Sequence, residues 1–156
     1  MTQKLKVRID GEFVAASPGQ SVLQVARAGN KYIPALCYME GLTAVGACRL
    51  CMVEVQGVSR LLPACTTPVQ DGMAVTTTSP QILSYRKIAL ELLFCERNHV
   101  CAVCVSSGHC ELQSLAAANG VTHLTVPYRY PKLGVAASHE RFVLDDNRCV
   151  LCQRCV

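Results

Sequence analysis

Eleven cysteines in 156 residues are the side chains of this protein most able to do chemistry, because a thiolate is at once a nucleophile, a redox group and a soft metal ligand. They fall into three groups: Cys37, Cys48, Cys51 and Cys65; then Cys95, Cys101, Cys104 and Cys110; then Cys149, Cys152 and Cys155. The odd count argues against complete pairing as disulfides. No export signal precedes them, since MTQKLKVRID alternates charge with apolarity where a secretory leader needs a continuous apolar stretch. The expected location is cytoplasmic, a reducing compartment that disfavours disulfides. Thiolate ligation of metal is the leading explanation of this composition.

The spacings say which metal. The first group reads Cys37-x10-Cys48-x2-Cys51-x13-Cys65, and a [2Fe-2S] cluster needs four thiolates, two on each iron. The loop around such a cluster turns backbone amides toward sulfide, which Gly41, Gly46 and Ala47 make possible. A structural zinc site on the same four thiolates is the competing reading. It is less favoured, because zinc commonly uses two C-x2-C knuckles and this set has one.

The second group, Cys101-x2-Cys104-x5-Cys110, supplies three of the four ligands of a [4Fe-4S] cubane. His99, His109 and Cys95 are the candidates for the fourth. His99 is preferred, since His109 adjoins Cys110 and would have to fold back on its own loop, while Cys95 reads as a buried helix thiol. The third group, Cys149-x2-Cys152-x2-Cys155, opens the bacterial run C-x2-C-x2-C-x3-C. The next cysteine does not arrive before Val156, so the expectation is an incomplete [4Fe-4S] site in a C-terminally truncated subunit. His123 and His139 have no ligand neighbours and read as surface or loop residues.

The elements that must position these ligands are of mixed type. Leu5, Val7 and Ile9 alternate with Lys4, Lys6 and Arg8, a strand pattern. Asp10-Gly11 predicts a hairpin turn into a second strand over Phe13 to Ala15, and Val22, Leu23, Val25 and Ala26 predict a short helix stopped by Gly29. Further strands are expected at Cys51 to Val55 and at Met73 to Thr77. Ser79-Pro80 predicts the start of the longest helix, running out near Asn98, with Ile82, Leu83, Tyr85, Ala89, Leu90, Leu92 and Leu93 on one broad face. Glu111 to Asn119, with Gly120 behind it, predicts another helix. Pro127, Tyr128, Tyr130, Pro131 and Gly134 mark a loop over the core before a short strand at Phe142 to Leu144.

The expected class is therefore α+β. Its parts are a β-grasp, ferredoxin-like [2Fe-2S] domain over 1–78, a helical His/Cys3 [4Fe-4S] segment over 79–120, a connecting loop over 121–140, and the start of a bacterial ferredoxin-like domain over 141–156. Apolar types make up 51% and charged types 17% of the chain, which excludes disorder by composition. The longest apolar run, Ile88 to Cys95, is broken by Glu91 and falls short of the roughly 20 residues of a spanning helix. Fifteen basic residues against 11 acidic are scattered without aromatic interleaving, so no nucleic-acid partner is expected. No G-x-G-x-x-G and no P-loop occur, so hydride chemistry is expected on another subunit.

The stretch Cys37 to Cys65, with Cys48-Arg49-Leu50-Cys51-Met52-Val53-Glu54-Val55 inside it, resembles the [2Fe-2S] domain of respiratory complex I and its hydrogenase relatives. Gly108-His109-Cys110-Glu111-Leu112-Gln113 resembles the end of their His/Cys3 segment, although those relatives place three residues between the histidine and the first cysteine where this chain has one. Glu96-Arg97-Asn98-His99-Val100-Cys101-Ala102-Val103-Cys104, Pro127-Tyr128-Arg129-Tyr130-Pro131 and Asn147 to Cys155 resemble the small diaphorase subunit of bidirectional NAD-reducing [NiFe] hydrogenases. That resemblance, which covers essentially the whole chain, implies an electron-transfer subunit between a flavin-containing NAD(H)-binding diaphorase subunit and the hydrogenase small and large subunits. A subunit of complex I or of NAD-dependent formate dehydrogenase is the alternative. A zinc-stabilised interaction module is the rival of another class.

Overall fold

The computed structural model describes residues 4–155. Residues 1–3, at the start of the first expected unit, and Val156, at the end of the last, lie outside the described residues. Strand β1 (Leu5–Ile9) pairs antiparallel with β2 (Glu12–Ala16). Asp10 at φ 49° and Gly11 at φ 88° join them, the two positive φ values that match the twist of a tight hairpin. Helix α1 (Val22–Ala28) follows. Its capping box, in which Ser21 Oγ accepts from the Gln24 amide and Gln24 Oε1 accepts from the Ser21 amide, satisfies two amides the helix cannot. Gly29 ends α1 for a packing reason: a Cβ there would stand 2.8 Å from Val14 Cγ2 on β2.

Three more strands complete the sheet: β3 (Met52–Val55), β4 (Leu62–Pro63) and β5 (Ala74–Thr76). The strand order is β2-β1-β5-β3-β4, with β1 and β5 parallel at the centre and the other pairs antiparallel. Strand β4, unforeseen in the sequence, is two residues long and holds Pro63 at the sheet edge, where a missing N–H costs no ladder bond. The first core lies between this sheet and α1, around Val7, Ile9, Leu23, Val25, Val53 and Val75.

Helix α2 (Pro80–Glu96) starts where Ser79 Oγ accepts from the Ile82 amide and proline takes the first helical position. Its buried face differs from the one expected. Ile82, Arg86 and Leu90, spaced four apart, are buried, whereas Leu83 and Leu92 are about half exposed and Tyr85 is exposed. Apolar residues surround this helix, so composition alone could not choose the inward side. On another side Glu91 and Cys95 are buried under residues 125–129: Thr125 donates from its amide and hydroxyl to Glu91 Oε2, Cys95 Sγ donates to the Val126 carbonyl, and the Arg129 amide donates to the Cys95 carbonyl.

The Thr125 bonds hold the Glu91 carboxyl below its usual range. A carboxyl lowered in the folded state contributes stability above its unfolded pKa of about 4.3 and loses it as pH falls through the lower folded value. The Thr125 amide is therefore expected to lose hydrogen-exchange protection on acidification below about pH 4, and a Glu91→Gln variant should show weaker protection with a flatter pH dependence. Equal acid sensitivity in the variant would contradict the assignment.

Helix α3 (Glu111–Ala118) runs from Cys110 at its N-cap. With α2 it closes a second core containing Leu36, Leu50, Leu90, Leu112 and Leu115. Packing therefore continues across residue 78, because Leu36 and Leu50 precede it in the chain. Strand β6 (Val135–Ala136) pairs with β7 (Leu144–Asp145). The expected strand at Phe142 to Leu144 thus lies one to two residues further on, and Phe142 is exposed. Among the described residues no helix is long and apolar enough to cross a membrane.

Candidate metal centres

The two cores meet at the first group of cysteines. Cys51 and Cys65 belong to the core beneath the sheet, Cys37 and Cys48 to the core beneath α2 and α3. All four are at most 5% exposed. The Cys37 amide donates to Cys48 Sγ at 3.4 Å and the Cys48 amide to Cys37 Sγ at 3.5 Å. The loop from Cys37 to Cys51 reaches this arrangement through positive φ at Gly41, Gly46 and Arg49. At Gly46 a Cβ would also meet Thr66 Cγ2 at 3.3 Å. Of the three small residues expected to open the loop, the two glycines take the left-handed conformation. Ala47 does not, and Arg49 does so instead.

Cys48 and Cys65 both act on the Cys37 thiol, and Cys65 acts on that of Cys51. Those contacts draw the Cys37 thiol down to about 2 and the Cys51 thiol to about 7. They push Cys48 and Cys65 well above the ordinary thiol value, with burial adding to the shift. Four sulfurs so close and so buried cannot all be anionic without a compensating cation. The donor set fits iron-sulfur ligation, in which metal replaces the shared protons and backbone amides remain directed at sulfur.

The second group lies beyond α2. Cys101 opens a 3-10 turn over Cys101–Val103, Cys104 closes it, and Cys110 caps α3. With His99 they line a cavity of about 580 Å³. The His99 ring packs edge-on against Phe94, with centroids 6.0 Å apart, and its carbonyl accepts from Tyr128 Oη at 3.4 Å. Its Nε2 is buried without a hydrogen-bond partner. Burial, then Arg148 and Arg97, push its pKa down, leaving a neutral ring with a free nitrogen, which is the form that ligates metal. Cys104 is drawn below the usual thiol range by the Ser106 backbone and by Arg148. Of the other two candidates for this position, Cys95 is turned to Val126 and His109 is exposed and does not line this cavity.

Cys149 and Cys152 line that same cavity. Spacing had separated the second and third groups, and no local pattern relates residues 40 to 50 positions apart. The connection runs through Asn98, whose Nδ2 donates to the Pro131 carbonyl at 2.7 Å and to Asn147 Oδ1 at 2.8 Å. Cys155 is exposed and stands apart from the cavity. His123 and His139 are exposed, one bonded to Thr122 and the other stacked on Phe142. The residues sequence reasoning missed are Asn98, Tyr128, Arg148 and Arg154, which carry no metal-ligand chemistry of their own.

Residues 2–80, just over half of the chain, match the family of 2Fe-2S iron-sulfur cluster binding domains. The chain belongs to this family. Residues 86–124 of this 2Fe-2S protein match the NADH-ubiquinone oxidoreductase-G iron-sulfur binding region, so regions for both cluster types follow one another in the chain. It is 36% identical to the gamma chain of the NAD-reducing hydrogenase HoxS of Cupriavidus necator, a match that covers 97% of this chain and 64% of that one. It is 38% identical to the HndD component of the NADP-reducing hydrogenase of Solidesulfovibrio fructosivorans, over 97% of this chain and 27% of the relative. It is 32% identical to the mitochondrial NADH-ubiquinone oxidoreductase 78 kDa subunit of Candida albicans, over 98% of this chain and 22% of the relative. A crystal structure of NAD+-reducing [NiFe]-hydrogenase in the H2-reduced state contains a chain 41% identical to it. That chain superposes with a TM-score of 0.92, covering 97% of this chain and 64% of that one. The protein thus spans less than two thirds of the length of these relatives.

Proposed function

We propose that this chain is an electron-transfer subunit of a cytoplasmic NAD(H)-linked hydrogenase, relaying single electrons between a flavin-containing, NAD(H)-binding diaphorase subunit and the hydrogenase small and large subunits. The observation that carries the reading is the pair of candidate donor sets, four buried thiols at the junction of two cores and a cavity lined by Cys101, Cys104, Cys110 and a His99 whose Nε2 is buried and unpartnered. Cys37, Cys48, Cys51 and Cys65 would hold a [2Fe-2S] cluster, and His99, Cys101, Cys104 and Cys110 a [4Fe-4S] cluster. Cys149, Cys152 and Cys155 would be three ligands of a further, incomplete [4Fe-4S] site. The parallel β1–β5 pair covered by α1 supports a β-grasp domain around the first set.

Iron-sulfur clusters supply one-electron oxidation and reduction when bound. The chain's own residues exclude water from the first set by burial, direct the Cys37 and Cys48 amides at sulfur, and present a neutral imidazole at the second. The 41% identical hydrogenase chain, with its TM-score of 0.92, favours a hydrogenase assembly over complex I or formate dehydrogenase.

Purified anaerobically, the chain is expected to be coloured and to be bleached by a one-electron donor. NADH alone should leave it oxidised until a flavin subunit is added. Bleaching by NADH with no other protein present, or a colourless zinc-containing chain, would contradict the proposal. His99→Cys replaces a neutral ligand by an anionic one and is expected to lower the midpoint potential of the [4Fe-4S] centre. If His99→Ala left that centre's EPR signal and potential unchanged while His109→Ala abolished them, the ligand assignment would be wrong.

A further inference from the structure

Arg154 stands where the three cysteine groups approach one another. Its Nη1 lies 2.9 Å from both carboxylate oxygens of Glu111, the residue after Cys110. Its Nη2 donates at 3.3 Å to the carbonyl of Tyr38, the residue after Cys37 and 116 positions away in the sequence. The side chain lines a cavity of about 270 Å³ together with Cys110 and Cys152, and Cys152 and Cys37 both act on its charge. Its Nε is buried with no hydrogen-bond partner. An unpaired buried N–H is costly, and two of this guanidinium's three nitrogens are already committed to protein oxygens. The third is left free beside a cavity that Cys110 and Cys152 line.

We propose that Arg154 is a potential-setting residue shared between the iron-sulfur centres, with Nε donating a hydrogen bond to the sulfur of a bound cluster on the Cys110–Cys152 side while its fixed charge also bears on the Cys37 side. The inference rests on the ligand assignment made above. Reduction adds a negative charge to a cluster, so a permanent cation and an N–H donor at its sulfur stabilise the reduced state and raise its potential. Glu111 and the Tyr38 carbonyl act as the anchors that hold the guanidinium in place. Its planar fork can serve three directions at once, which a lysine ammonium on a flexible stem does less well.

The test is an EPR-monitored redox titration of the whole chain, alongside Arg154→Gln and Arg154→Lys, after iron and sulfide have been measured in each. Arg154→Gln is expected to lower the midpoint potentials of both the [2Fe-2S] and the [4Fe-4S] centre. Arg154→Lys should restore most of the shift, and Lys132→Gln, which removes a cation elsewhere, should shift neither. With 15N-arginine labelling of the reduced wild-type chain, pulsed EPR should show a nitrogen coupling to the cluster that is absent from equally labelled Arg154→Lys, a comparison that stands even if Arg154→Gln fails to fold. Loaded centres with unchanged potentials in Arg154→Gln, an equal shift in Arg154→Lys, or no arginine nitrogen coupling would overturn the inference while leaving the electron-transfer reading intact. A wild-type chain without iron would overturn both.

Discussion

A Cys48→Ser variant is expected to lose about two irons per chain, the full content of a [2Fe-2S] centre, together with that centre's EPR signal. Its melting temperature should fall on the order of 10 °C. Both effects have the same cause. Cys37 and Cys48, linked by amide-to-sulfur bonds, belong to the second core, and Cys51 and Cys65 to the first. A cluster held by all four thiols therefore cross-links the sheet core to the helical core. Ligand that binds the folded state alone adds its binding free energy to stability, and serine oxygen is a poor substitute for thiolate on iron. Cys95→Ser is the matched control, since its thiol faces the Val126 carbonyl and not a donor set. It should keep all its iron. A Cys48→Ser protein with undiminished iron, or a Cys95→Ser protein stripped of it, would contradict the assignment.

Arg86→Leu is expected to destabilise the protein by about 2–4 kcal/mol, after allowing for relief of the arginine's own burial. Arg86 is 4% exposed. Its Nε donates to the Leu50 carbonyl at 3.1 Å, and its Nη2 donates to the carbonyls of Met52 at 3.2 Å and Thr77 at 2.9 Å. Burial lowers its pKa, yet an arginine remains charged. It gathers three backbone carbonyls, two of them, Leu50 and Thr77, just outside the strands. Leu50 and Met52 flank Cys51, so losing this clamp loosens one wall of the first donor set. Denaturant unfolding of the loaded protein should show the loss of stability, and iron release to a chelator should be faster. Unchanged stability together with unchanged release would refute the clamp.

The parts of this architecture that were legible in the sequence are those written in short-range pattern. The alternation through Leu5, Val7 and Ile9, the Asp10-Gly11 turn and the Ser79-Pro80 helix start are local devices, and each element formed near its predicted place. Cys37, Cys48, Cys51 and Cys65, whose spacing within one stretch suggested a common donor set, are all buried where the two cores meet. The inward face of α2 was not legible, since Leu83 and Leu92 are as apolar as Ile82 and Leu90, and only the tertiary partners separate them. The two-residue strands β4 and β6 are too short to carry a period. The meeting of Cys149 and Cys152 with His99 and Cys110 depends on amide bonds from Asn98 and on arginines reaching across more than 40 residues. Such contacts leave no signature in spacing, and Arg154 looked like any other surface cation.

The most direct test of the central claim is iron, acid-labile sulfide and zinc content per chain in anaerobically purified protein, combined with EPR after dithionite reduction. Two spectroscopically distinct reduced iron-sulfur signals, one of [2Fe-2S] and one of [4Fe-4S] type, with sulfide matching iron and negligible zinc, are the predicted result. Zinc at stoichiometric levels with no sulfide and no EPR signal would contradict it.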